Sequence, residues 1–166
     1  NGFQDLPFNN FYKDQFHSFK VVPGSQISSE AVLIYDSQRE PSPRPHFLND
    51  WLGNSFGNVS AIADNNGMCH GFGRIRPCVL QDKNQGWRIG PLLADTPPLA
   101  ELLIRQLVGN LDSQILLDCS SLNPYANYLL SSLGFEEISR TYRMYKGPQP
   151  PCPMNQVYGL ACLELG

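Results

Sequence analysis

The sequence predicts a mixed α/β domain with a parallel strand–helix–strand core, and three observations carry that expectation. Trp87–Leu93 and Ile115–Leu117 are continuous apolar runs too short to be helices. Between them Leu99, Leu102, Leu103, Leu107 and Val108 recur at helical spacing behind Asp95-Thr96-Pro97, a helix start with proline in the first turn. A second helix is marked at both ends, by Asn123-Pro124 before the apolar residues Leu129, Leu130 and Leu133, and by Gly134 where a left-handed C-cap belongs. Two strands joined through a helix run parallel and cross over right-handed, so these pieces form a βαβ unit.

The remaining elements attach to that unit. Residues 1–26 hold Phe3, Phe8, Phe11, Tyr12, Phe16 and Phe19 without helical or alternating periodicity, and are read as an N-terminal arm or the remnant of a preceding domain. The domain itself is read as residues 27–166. Ser28–Tyr35 reads as a short helix capped by Ser28 or Ser29, and the prolines 41, 43 and 45 turn the chain before a second short helix over His46–Leu52. Val59–Ala63 and Met68–Ile75 flank Asp64-Asn65-Asn66-Gly67, whose Asn-Gly pair tolerates the positive φ of a hairpin turn. Phe135–Tyr145 and Val157–Leu165 read as a closing antiparallel pair around a proline-rich loop, giving a mixed sheet with antiparallel outer strands and helices on both faces.

Composition narrows the function classes. A chain of 166 residues with 42% hydrophobic residues has enough apolar surface for one core. A formal charge of −3 supplies no broad basic face, so no nucleic-acid partner is expected. Cys69, Cys78, Cys119, Cys152 and Cys162 are odd in number and lack CxxC spacing, and His17, His46 and His70 stand apart, so reduced thiols and no metal site are expected. With no long apolar span and no leader pattern, the expected location is cytoplasmic, away from membrane.

Several motifs carry a family likeness. Asn123-x-x-Ala126-x-x-Leu129 followed by Gly134-Phe135 is joined by Tyr35-Asp36, Arg44-x-x-Phe47-Leu48-x-x-Trp51-Leu52 and Gly71-x-Gly73-x-Ile75-Arg76. Ile89-Gly90-Pro91-Leu92-x-Ala94-Asp95, Leu117-Asp118, Arg143-Met144-x-x-Gly147 and Leu163-Glu164-Leu165-Gly166 complete the ordered set. Over about residues 27–166 the chain resembles the GNAT superfamily of N-acetyltransferases, in particular the C-terminal domain of YitH-type proteins with two GNAT domains in tandem.

The resemblance implies acetyl-CoA or another acyl-CoA as cosubstrate, lying between two splayed parallel strands, with Ile89, Gly90, Leu92, Leu93, Thr96 and Asn123 as its contacts. In that family a glycine-rich loop at the next helix N-terminus holds the pyrophosphate. Here Asp95-Thr96-Pro97-Pro98 stands in its place, with a negative charge and two residues lacking an N–H. The family's frequent tyrosine acid is Leu130, and Tyr125 and Tyr128 point to other helix faces.

His70 and Asp118 are the candidate bases, each with a plainer role open to it: a solvated strand face for His70 and a turn or cap acceptor for Asp118. Cys119 invites a cysteine-hydrolase reading, against which Asp118 supplies the wrong charge for a reactive thiolate. Arg140, Arg143 and Lys146 read as a solvated basic edge. Two functions stand side by side: an N-acyltransferase domain acting on a small-molecule amine, and a non-catalytic GNAT-like module that binds a small effector or packs on a partner, either a second GNAT domain or another copy of itself.

Overall fold

The computed structural model describes residues 18–80 and 84–163. Among them, β1 (Phe19–Pro23), β2 (Asn58–Asp64), β3 (Cys69–Val79), β4 (Gln85–Ala94) and β5 (Ile115–Leu117) form one sheet in chain order, and β6 (Val157–Gly159) pairs with β4. The first four strands are antiparallel neighbours, whereas β4 and β5 are parallel. Helices α1 (Ser29–Ser37) and α2 (Pro45–Gly53) cover one face, and α3 (Pro97–Val108) and α4 (Pro124–Ser132) the other. The mixed α/β expectation, with a βαβ core and helices on both faces, is the architecture found.

Alternation along the strands explains the two layers. Ile62, Ile75, Ile89 and Leu92 pack with Leu99, Leu103, Ile104 and Leu107 of α3 and with Leu129 and Leu130 of α4. Ala61, Phe72 and Leu93 point the other way, against Val32, Tyr35 and Leu48. Helix α3 lies close on β3 because Gly71 and Gly73 carry no side chain: a Cβ on Gly73 would come within 3.0 Å of Leu107 Cδ1.

Two strand assignments change. Phe19–Pro23, placed by sequence in an arm, is the edge strand beside β2, with Val21 opposite Ile62. The five-residue run ends in proline and is too short to declare a period. Residues 1–17 lie outside the described residues, and so do most of the arm's aromatic side chains. Phe135–Tyr145, expected as a strand, is irregular, with Ile138, Tyr142 and Met144 exposed. Ile138, Tyr142 and Met144 share one face with Glu136 and Arg140, so pairing would bury charges along with the apolar residues. Arg140 pairs only with neighbouring Glu137, and Arg143 lies over Tyr145, as a solvated surface does. The expected partner strand shortens to β6, which is antiparallel to β4.

Asn123 ties the α4 side of the domain together. Its Oδ1 accepts from the backbone N–H groups of Tyr125 and Ala126, at 3.1 Å each, while Nδ2 donates to Val157 O at 2.9 Å. The side chain is 0% exposed. A cap contributes about 1 kcal/mol, and a buried polar group stripped of its partner costs about 1–3 kcal/mol. Asn123→Ala is therefore expected to destabilise the domain by about 2–4 kcal/mol, read as a lower urea midpoint at constant m-value. A loss within error of zero would contradict this account of the cap.

Candidate active site

The parallel strands β4 and β5 pair only from Trp87–Ile115 to Ile89–Leu117 and then part. At the parting point β4 bulges: between the Gly73–Leu92 and Ile75–Ile89 pairs, Gly90 and Pro91 stand opposite Arg74 alone. Beyond it β4 runs on to Ala94 while β5 ends, which is the geometry that leaves a slot between two strands.

The chain's own C-terminal segment fills that slot. Leu92 faces Gly159 and Leu93 faces Val157 across the β4–β6 ladder, and Leu160 N donates to Asp118 O at 2.8 Å on the β5 side. The fit is tight at Gly90, where an added Cβ would lie 2.1 Å from Leu160 O. Trp51 Nε1 closes the other side, donating to Gly90 O at 3.1 Å. Ile89 and Leu92 point into the α3-side core and Leu93 into the α1-side core, all fully buried. The sequence-derived contacts Ile89, Gly90, Leu92, Leu93 and Asn123 are thus gathered in one place, around β6.

Thr96 lies at the far end of β4, where α3 begins. As N-cap of α3 it makes no side-chain cap bond, and Pro97 and Pro98 follow it. Asp95 accepts instead from three side chains: Tyr35 Oη at 2.8 Å, Arg39 Nη2 at 2.6 Å and His70 Nδ1 at 2.8 Å. The Arg39 guanidinium also lies 3.4 Å over the Tyr35 ring, and Tyr35 Oη reaches His70 O at 3.1 Å. Burial, then the neighbouring Asp95 carboxylate, hold the Tyr35 hydroxyl far above its ordinary pKa, so it stays a proton donor. The residues present do not fit acyl-CoA: the slot is packed with backbone, and Pro97 and Pro98 remove two N–H donors from the first turn of α3.

The two candidate bases are not brought together. Asp95, to which His70 is bonded, is five residues along β4 from Gly90, roughly 16 Å of strand. His70 is not on a solvated face either, since Phe19 of β1 covers it edge-on at 4.8 Å and Asp64 Oδ2 stands 3.6 Å from Nε2. Asp118 is held by Arg88 Nη1 at 2.8 Å, so its carboxylate is engaged in an ion pair. Burial pushes the Cys119 thiol up, and Asp118 and Glu137 push it further, the opposite of what a nucleophilic thiolate requires.

Sequence reasoning missed two groups. The Tyr35–Arg39–His70–Asp95 cluster announces itself only through the four-residue spacing of Tyr35, in the last turns of α1, and Arg39, just past its C-cap. The second group is Arg74 and Arg76, both lying on the Trp51 ring, at 5.0 and 4.9 Å from its centroid. Its signal is an Arg-x-Arg alternation inside an otherwise buried strand. A groove of about 470 Å³ also opens between α1, α2 and the β1–β2 edge, floored by Val32, Leu52 and Val59 and lined by no charged side chain.

Removing the Tyr35 hydroxyl leaves Asp95 with two of its three donors. Tyr35→Phe is expected to lower stability by about 1–3 kcal/mol, checked by urea unfolding. Native Cys119 is expected to react with iodoacetamide at neutral pH more slowly than the same cysteine in the unfolded chain, measured by mass spectrometry. A faster native rate would revive the hydrolase reading.

Comparison with known proteins agrees with the fold. The family model described as "Acetyltransferase (GNAT) domain" matches residues 32–159. The holothin acyltransferase of Pseudoalteromonas sp. (strain SANK 73390) is 26% identical over 139 residues, covering 82% of this chain and 45% of the relative. The chain thus spans about half the length of that curated relative. A protein of Pyrococcus horikoshii assigned as an acetyltransferase superposes with a TM-score of 0.66 at 20% identity, over 86% of this chain and 44% of that one. The aminoglycoside 6'-N-acetyltransferase of Acinetobacter baumannii superposes with a TM-score of 0.54 at 10% identity, over 79% of this chain and 99% of its own. At such identities the solved structures speak for the fold alone. With three-quarters of its length inside the family match and its strands parting at the β4 bulge, the chain belongs to the GNAT acetyltransferase domains.

Proposed function

We propose that this chain is one domain of an acyl-CoA-dependent N-acyltransferase that acylates a small-molecule amine, and that it is the half that does not hold the cofactor. The observation that carries this reading is β6 lying between β4 and β5, where the Cβ-free Gly90 meets Leu160 O. Asp95 at the start of α3 supports it from the other end of the slot. So does length: the chain spans 45% of the holothin acyltransferase, which leaves room there for a second domain. The ordered motifs shared with the C-terminal domain of YitH-type double-GNAT proteins point the same way. The partner in this reading is a cofactor-binding GNAT domain, and the location is cytoplasmic, in keeping with five free thiols and no described helix long and apolar enough to cross a membrane.

A second reading has β6 withdraw so that this domain takes acyl-CoA itself. The shortness of β6 supports it: three residues, reached through an irregular segment that starts after α4. One titration separates the two. Calorimetry of the chain with acetyl-CoA is expected to show no heat at submillimolar ligand, and the Leu160 amide is expected to keep its hydrogen-exchange protection. Micromolar binding with loss of that protection would overturn the companion-domain reading in favour of the second.

A further inference from the structure

The chemistry at the β4 bulge is unfinished on its α2 side. Arg74, the single residue opposite Gly90 and Pro91, is 2% exposed, yet among the described residues its one hydrogen bond is from Nη2 to Phe56 O, at 2.8 Å. Its Nε is buried without a partner, and so is the Nε of Arg76. Among the described residues neither guanidinium has a carboxylate within ion-pair distance, whereas Arg39, Arg44, Arg88, Arg105 and Arg140 all do. Both lie against the one Trp51 ring, which spreads their charge over its π face but offers no acceptor to an N–H. Two like charges held side by side, one of them buried, are costly, and an anion between them would offset that cost.

Burial and the neighbouring Arg76 lower the Arg74 pKa from its ordinary value, the direction expected of a cation lacking its counter-ion. The surroundings suit a ligand. The Phe56 backbone O takes the Arg74 Nη2 hydrogen bond, and the loop that carries it is pressed onto Arg76 through Gly57, where a Cβ would strike Ile75 O at 2.2 Å. Arg76 is only partly buried and gives the line of approach. Arg88, directly across the ladder from Arg76, is already neutralised by Asp118 and leaves the excess charge on the β3 pair.

We propose that Arg74 and Arg76 form an oxyanion site that holds a carboxylate or phosphate group of a small ligand, with the guanidinium Nη groups of the pair as donors and Trp51 as its apolar wall. A guanidinium presents parallel N–H bonds that match either anion, and among the described residues Arg74 Nη2 is the one Nη of the pair with an acceptor. The identification of that ligand as the amine acceptor rests on the acyltransferase reading; the site itself does not, since it is defined by this chain's unpaired cations.

The test uses the whole chain without any CoA. Sodium phosphate and sodium acetate are titrated separately against sodium chloride at equal ionic strength, while the arginine Nε–Hε resonances are followed by NMR. A saturable shift of the Arg74 and Arg76 resonances with phosphate, acetate or both is expected, and which anion acts tells a phosphorylated ligand from a carboxylate one. Arg76→Gln, at the more accessible position, is expected to weaken the response at least tenfold with the fold intact by thermal midpoint, whereas Arg140→Gln leaves it unchanged. Shifts no larger than those with chloride, or a response that survives Arg76→Gln, would overturn the proposal. Because acetyl-CoA is absent, failure here and failure of the calorimetric test above are separate results.

Discussion

Every strand edge in a protein interior must find partners for its backbone N–H and C=O groups, and in this domain that requirement decides the architecture. Once the bulge at Gly90–Pro91 turns β4 away from β5, two edges face each other across a gap too wide for direct pairing. Val157 to Leu160 satisfies both at once, bonding to β4 through the ladder and to Asp118 through Leu160 N. Asn123 then fastens the inserted strand to α4 with the same amide that caps the helix. The GNAT fold is kept, and the gap between the parted strands is taken up by the chain's own C-terminal segment.

The far end of that opening is settled by charge. Asp95, the residue before the N-cap of α3, turns its carboxylate to side chains of the α1 layer and β3. Arg39, just past the end of α1, neutralises it, Tyr35 and His70 complete the shell, and the cluster joins α1, β3 and the β4–α3 junction. It therefore works as a tertiary clamp between the two helical layers. The arginine pair on β3 is its counterpart: there the chain supplies the cations and leaves the anion to another molecule.

Much of the fold was legible because periodicity and capping are local. Leu99 to Val108 and the Asn123-Pro124 to Gly134 frame are patterns of a few turns, and both helices stand where they point. The strands at the two ends were less legible for a shared reason. β1 and β6 are five and three residues long, and each owes its conformation to a partner distant in sequence, Asp64–Ser60 for one and Leu92–Leu93 for the other. For Phe135–Tyr145 the aromatic and β-branched content suggested a strand that no partner edge supports. At the site, the Asp95-Thr96-Pro97-Pro98 run correctly announced a poor phosphate cradle, yet not which side chains Asp95 would gather. Tyr35 and His70 are 60 and 25 residues away from it, and such distances are invisible to pattern.

Gly90 sets how closely the sheet can be sealed. A side chain there would run into the Leu160 and Ala161 carbonyls, while its own carbonyl is held by the Trp51 indole. A single added methyl and the present seat of the segment that follows β6 exclude each other, so the closure of this sheet hangs on one hydrogen atom.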